Sequence, residues 1–319
     1  MKFIQQAYKG NNDWVAYAKT ILLVFVGWQI IGLVPLFGIG YYYSDSMETF
    51  KSSIATVFTS LGINSNLYLI LIICTFLGGL ASLFIGVKFI HKRKILTVLT
   101  SRERLDWNRI FFAFSIWFAV GIFMFLLDYF MAPEDYVWNF KPTSFFILVI
   151  ISFLFLPIQT SMEEVLFRGY LMQGFGTWFK KSFVALILTS VIFGLLHGSN
   201  PEVAKLGWAI MIYYIGTGLL LGILTLMDEG LELSLGFHSA NNILAAILVT
   251  SNWAAFQTEA LFIDVSEPSV GFEMFVPVFV LYPMILLIFS KKYGWTNWKE
   301  KLLGHVFKPI EFKEDEFIA

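Results

Sequence analysis

The chain has 319 residues, 57% hydrophobic and 14% charged, with a net charge of −1 and a mean hydropathy of +0.72. A soluble domain carries about 25% charged residues, so this composition excludes a disordered chain and argues against a soluble enzyme. The balance of 22 Lys+Arg against 23 Asp+Glu excludes an extended basic nucleic-acid binder, and no nucleic-acid partner is expected. Cys74 is the single cysteine, which excludes an internal disulfide framework and a cysteine-rich metal site; it is read as helix packing.

A hydrocarbon core of ~30 Å takes about 20 apolar residues at ~1.5 Å each. Eight stretches approach that length, at about 21–41, 67–87, 110–127, 144–162, 183–197, 208–227, 236–249 and 272–290. The fifth and seventh are short, which suits helices held inside the protein beside a polar cavity. No segment alternates with period two, so a membrane barrel is disfavoured. The expected fold is an all-α polytopic membrane protein of about eight spans. It divides into 1–142, three helices with a basic loop; 143–290, a helical core of five; and 291–319, a tail with a short interfacial helix.

Charge orients these spans. With the N-terminus inside, the outer segments carry only Lys51, Lys141 and Lys205, and the other 19 of the 22 basic residues fall inside. The positive-inside rule then places both termini in the cytoplasm. Segment 88–109, with seven basic residues, serves as an orientation signal, with binding of anionic lipid headgroups as the alternative. Trp14, Tyr42, Trp107, Trp138, Trp208 and Trp295 lie near span ends, where amphipathic rings anchor a protein in the interface. The first span is too long for a signal sequence and is expected to be retained. The Phe-Ile-Ala end carries no prenylation signal. The simple N-terminus suits a bacterial inner membrane.

Against this apolar background a few polar groups stand out, because an ionisable group inside a bilayer costs about 2.5–3.5 kcal/mol on insertion scales. The fourth span runs into Glu163, Glu164 and Arg168, the fifth ends in Phe193 and His197, and the seventh carries His238 and Asn242. Residues four apart share a helix face, so Glu164 and Arg168 can pair. Glu163, about 100° away around the helix, faces elsewhere. Counting from the Lys180-Lys181 turn puts Glu164 and His197 at similar depth. Counting from the 228–230 turn leaves His238 nearer that end of its helix. The remaining histidines, His91 in the basic loop and His305 in the tail, are expected to be solvated.

A glutamate beside a neutral imidazole can hold and deprotonate a water molecule, contributing ~10²- to 10⁴-fold in rate. A second imidazole and an amide can donate to a developing oxyanion. These are the parts of a water-activating amide hydrolase. The motifs G-x-S-x-G and H-E-x-x-H are both absent. A divalent metal such as Zn²⁺ held by Glu163, His197 and His238 is the alternative way to activate the water.

Glu163-Glu164-x-x-x-Arg168, then Phe193-x-x-x-His197, then His238-x-x-x-Asn242, in that order on separate membrane helices, resemble the CPBP family. This family comprises CAAX prenyl endoproteases and bacteriocin-processing or immunity proteins, also called Abi proteins. The resemblance covers about 144–250 and implies an all-helical intramembrane endopeptidase acting on a membrane-associated peptide or protein. By the same resemblance Glu163 is the water-activating base, assisted by His197. Glu164 and Arg168 are the supporting ion pair, and His238 and Asn242 form the oxyanion site. The family is often labelled metalloprotease. It does not specify a prenylated substrate, and the sequence leaves the oligomeric state open. Two other classes remain: an ion- or proton-coupled transporter, since membrane Glu, His and Arg also line ion pathways, and a non-catalytic immunity or scaffold protein.

Overall fold

The computed structural model describes residues 2–253 and 257–309. The helices, in chain order, are α1 (Trp14–Val26), α2 (Val34–Tyr42), α3 (Met47–Ser53), α4 (Ser65–Ile85), α5 (Trp107–Met131), α6 (Pro142–Glu164), α7 (Met172–Phe179), α8 (Ser182–Leu196), α9 (Pro201–Leu206), α10 (Met211–Asp228), α11 (Glu232–Ile247), α12 (Tyr282–Tyr293) and α13 (Trp298–Leu303). A small sheet of β1 (Tyr136–Trp138), β3 (Phe262–Asp264) and β2 (Val249–Thr250), in that order, closes one end. Asp13, Asn64 and Asp106 cap α1, α4 and α5 by accepting backbone N–H groups of the first turn.

Six helical stretches among the described residues are long and apolar enough to cross a membrane: Trp14–Tyr42, Ser65–Ile90, Trp107–Met131, Pro142–Phe179, Ser182–Ser199 and Pro201–Asp228. They correspond to the first six expected spans. The expected seventh lies in α11, which has 16 residues and packs against α5, α6 and α10. Nearly every side chain from Glu232 to Ala240 is buried by protein, so this helix need not be apolar throughout. The expected eighth is shortened by its own punctuation. Pro277 opens a π turn leading into α12, and Gly294 ends it at a φ of 59°. In the tail, α13 is the expected short helix, while 310–319 lie outside the described residues.

Close backbone contacts set where α11 and α10 sit. A Cβ at Gly236 would lie 2.1 Å from the Ile110 carbonyl, so α11 rests directly on α5. At Gly218 a Cβ would lie 2.9 Å from the Ser190 carbonyl, and α10 rests on α8 in the same way. Met162, Val165, Leu166 and Phe167 of the fourth span join Phe193, Leu231, Leu235 and Val98 in one buried apolar cluster. Pro157 lies inside α6, and the π segment Val165–Leu171 follows it directly. Such segments recur at functional sites because they re-aim side chains within a continuous helix.

The basic segment 88–109 is tied into the fold more firmly than an orientation signal requires. Arg102 donates to Asp228 Oδ2 and Glu232 Oε2, both at 3.0 Å. Arg109 pairs with Asp228 and, at 3.2 Å, with Asp106. Trp295, expected at the membrane interface, is instead buried, with its indole N–H donated to Asp228 at 3.3 Å. Trp14, Tyr42, Trp107, Trp138 and Trp208 are exposed, as anchors should be. Cys74 is half-buried and unpaired.

His91 corrects a second expectation. It is wholly buried, whereas His305 is exposed as expected. The Asn11 carbonyl, 2.6 Å from Nδ1, requires a proton on that nitrogen, so Nε2 accepts from the Tyr170 hydroxyl at 2.7 Å. The neutral ring is therefore fully satisfied, and burial pushes its pKa down to about 4 from an ordinary 6.5. The unfolded chain then binds the extra proton first. Stability from this site is complete above about pH 6.5 and is lost as pH falls toward 4. The melting temperature is expected to drop across that interval. His91→Asn should flatten the drop, and an unchanged slope would contradict this assignment.

Candidate active site

The fourth span places two carboxylates side by side and turns them into different surroundings. Glu164 is completely buried, and its Oε1 accepts from Arg168 Nη1 at 2.9 Å. Arg168 is also completely buried; its guanidinium lies 4.1 Å over the Phe193 ring, and Nη2 reaches the Gly218 carbonyl at 3.4 Å. The expected Glu164–Arg168 pair thus forms and links three helices. An ion pair out of water needs such further contacts to offset its desolvation.

His238 joins this pair to Glu163. Its Nδ1 is 2.8 Å from Glu164 Oε1, and its Nε2 is 3.5 Å from Glu163 Oε2. Glu164 Oε1, paired with Arg168, accepts a hydrogen bond from Nδ1–H, which fixes the tautomer and turns Nε2 toward Glu163. In the neutral ring both facing atoms, Nε2 and Oε2, are proton acceptors. The pair is therefore suited to sharing one proton. Glu163 Oε2 is buried and has no hydrogen-bond donor among the described residues. Its other oxygen accepts from Gln159 at 2.7 Å, and Gln159 Oε1 accepts from Asn242 at 2.9 Å.

One connected path therefore runs from Asn242 through Gln159, Glu163, His238 and Glu164 to Arg168. Glu163, Glu164, Arg168, His238 and Asn242 are all brought together on it. His197 stands beside the path. Its Nδ1 is 2.8 Å from its own helix's Phe193 carbonyl, and its ring stacks on Tyr214 at 4.5 Å. The imidazole found at Glu163 is thus His238 instead of the expected His197. Both histidines nonetheless flank Phe193, with ring centres at 4.8 Å for His197 and 6.1 Å for His238. The close approach of α10 to α8 brings Tyr214 over His197 and the Gly218 carbonyl to Arg168. α11 lies inside the bundle in contact with α6, which brings His238 to Glu163.

A metal held by Glu163, His197 and His238 does not fit this arrangement. No three His, Cys, Asp or Glu side chains converge to hold a metal ion among the described residues. His238 has one nitrogen on Glu164 and the other facing Glu163, and His197 is turned to Phe193 and Tyr214.

Sequence reasoning missed several members. Gln159 had a signal, since it precedes Glu163 by one turn on the same face. The Thr160–Ser239 hydroxyl pair, at 2.9 Å, holds α6 to α11, and Trp117 donates to Asn241 at 3.1 Å. Neither contact has a local sequence pattern, because each joins residues far apart in the chain.

With the geometry in place, comparison with known proteins falls on the same region. The family model described as type II CAAX prenyl endopeptidase Rce1-like matches residues 142–244, which contain the whole path from Gln159 to Asn242. The Bacillus subtilis (strain 168) protein named "Uncharacterized protein YyaK" is 28% identical over 291 residues, 89% of this chain and 95% of its own length. No solved structure matches.

Proposed function

From the membership of residues 142–244 in the Rce1-like type II CAAX prenyl endopeptidase (CPBP/Abi) family, we propose that this integral membrane protein is an intramembrane endopeptidase of a bacterial inner membrane. Its substrate is a membrane-associated peptide or protein. The proposed topology keeps eight crossings, α11 and α12 completing the six longer ones, with both termini cytoplasmic. Segment 143–290 forms the catalytic core.

The observation that carries the reading is the unpartnered Glu163 Oε2 facing His238 Nε2 at 3.5 Å inside the bundle. A water molecule attacking a peptide carbonyl gives its proton to Glu163, which passes it to the leaving amine. This is general base followed by general acid catalysis by one group. His197, whose Nε2 has no hydrogen-bond partner among the described residues, assists in holding that water. With the proton shared by Glu163 and His238 on Nε2, His238 donates to the oxyanion together with the second amide proton of Asn242, and Glu163 is left as the base. Glu164 and Arg168 position His238 by fixing its Nδ1–H. The low-dielectric site strengthens each of these interactions.

The test is hydrolysis of membrane peptides by the purified full chain in H₂¹⁸O. One ¹⁸O should enter the new carboxylate. His238→Ala is expected to lower kcat by ~10²- to 10³-fold with little change in KM, as removal of an oxyanion donor does. A pure KM effect would contradict that role. Glu163-dependent ion flux into liposomes without peptide cleavage would favour a transporter.

A further inference from the structure

A cavity of about 780 Å³ lies away from the Glu163 site, lined by Lys9, Lys88, Lys92, Arg93, Lys94 and Arg102. Glu103 is the one acidic side chain in its lining among the described residues. Arg102 is already neutralised by Asp228 and Glu232. Lys92 and Lys94 are exposed and have no anionic partner among the described residues. Arg93 is 5% exposed; its Nη1 donates to Gln173 at 2.9 Å, while Nε and Nη2 have no acceptor among the described residues. Gln6, also in the lining and 2% exposed, has an amide nitrogen with no partner among the described residues. Burying an arginine with two donor nitrogens unused is costly unless the positive charge has a further purpose. The neutral state of His91 next to it adds no charge of its own to the wall.

Position narrows the ligand. Lys88 and Lys92 in its lining put the cavity at the end of the stretch Ser65–Ile90, which is long and apolar enough to cross a membrane, and Phe89, beside Lys88 in the chain, is 64% exposed. In the proposed topology that end lies at the level of lipid headgroups. The cavity is much larger than a single phosphate ion requires. Concentrated unpaired lysines with a buried arginine behind them match a phosphate-bearing headgroup, with Arg93 as the deep charge and the lysines gathering the phosphate oxygens.

We propose that this cavity is a binding site for a phosphate-bearing anion, supplied by the headgroup of an anionic lipid. The site also touches the catalytic span from outside. Ile95, Leu96 and Thr97 line the cavity, and the adjoining Val98 carbonyl packs so closely on Gly169, next to Arg168, that a Cβ there would lie 2.3 Å away. Occupancy braces this segment against the π turn that carries Arg168.

The experiment compares thermal unfolding of the full chain in nanodiscs of phosphatidylcholine with and without phosphatidylglycerol. Anionic lipid should raise the melting temperature of the wild type by at least ~3 °C, as a ligand bound only by the folded state does. Lys92→Gln/Lys94→Gln, at two exposed positions that leave folding intact, should lose most of that rise. Lys291→Gln/Lys292→Gln removes the same charge elsewhere and should keep it. Inorganic phosphate added to phosphatidylcholine discs separates the sources. An equal, Lys92- and Lys94-dependent rise identifies a free anion at the same site, and no rise identifies the headgroup. Equal loss in both lysine pairs means general surface attraction and overturns the proposal, as does the absence of any anion effect.

Discussion

Replacing Arg168 by alanine is expected to destabilise the protein by about 3–5 kcal/mol, the usual cost of stranding one member of a buried ion pair. The figure belongs at the upper end because Arg168 carries three loads. It neutralises Glu164 at 2.9 Å, covers Phe193 at 4.1 Å and reaches across to α10 at the Gly218 carbonyl. Glu164 and Arg168 are both completely buried, so water cannot replace what is lost. Glu164 would be left without its cation, and the alignment of its carboxylate on the His238 Nδ1–H would be lost. Folded yield and melting temperature in detergent measure the first effect. Combining Arg168→Met with Glu164→Leu should recover part of the stability while leaving His238 without its acceptor. A normal yield and melting temperature for Arg168→Ala would show that the pair does not hold α6, α10 and α11 together.

Glu163→Gln should act in the opposite way, leaving the fold intact and removing the chemistry. The replacement has the same size, and its amide oxygen can still accept from Gln159, the 2.7 Å contact made by Glu163. It cannot take a proton from water. A loss of ~10²- to 10⁴-fold in kcat is expected, the contribution of a positioned general base. Melting temperature and membrane insertion should match the wild type. An inserted Glu163→Gln protein with full activity would remove Glu163 from the mechanism.

Much of this site is legible in the sequence because membrane cost makes polar residues conspicuous. Glu164 and Arg168 announce their pairing by helical spacing. The six long apolar helices follow from hydropathy alone. Contacts between helices are less legible. Nothing in the order of residues says that α11 is enclosed by α5, α6 and α10, so the sequence count left His238 away from Glu163 while the fold puts it there. The burial of His91 is hidden for a related reason: its lysine and arginine neighbours suggest solvent, but Asn11 and Tyr170 arrive from distant segments to satisfy both ring nitrogens. Trp295 likewise lies near the end of an apolar run, yet the charge of Asp228 draws its N–H inward. Spacing predicts partners on the same helix; partners from other helices depend on small-residue contacts such as Gly218 against Ser190 and Gly236 against Ile110.

The central claim is that this buried cluster cleaves peptide bonds. It is tested most directly by comparing new protein termini in cells that make wild type or Glu163→Gln at matched levels. The account predicts peptide ends in membrane or secreted proteins that appear with wild type and are absent with Glu163→Gln. Full coverage of those proteins with identical termini in both strains would contradict it.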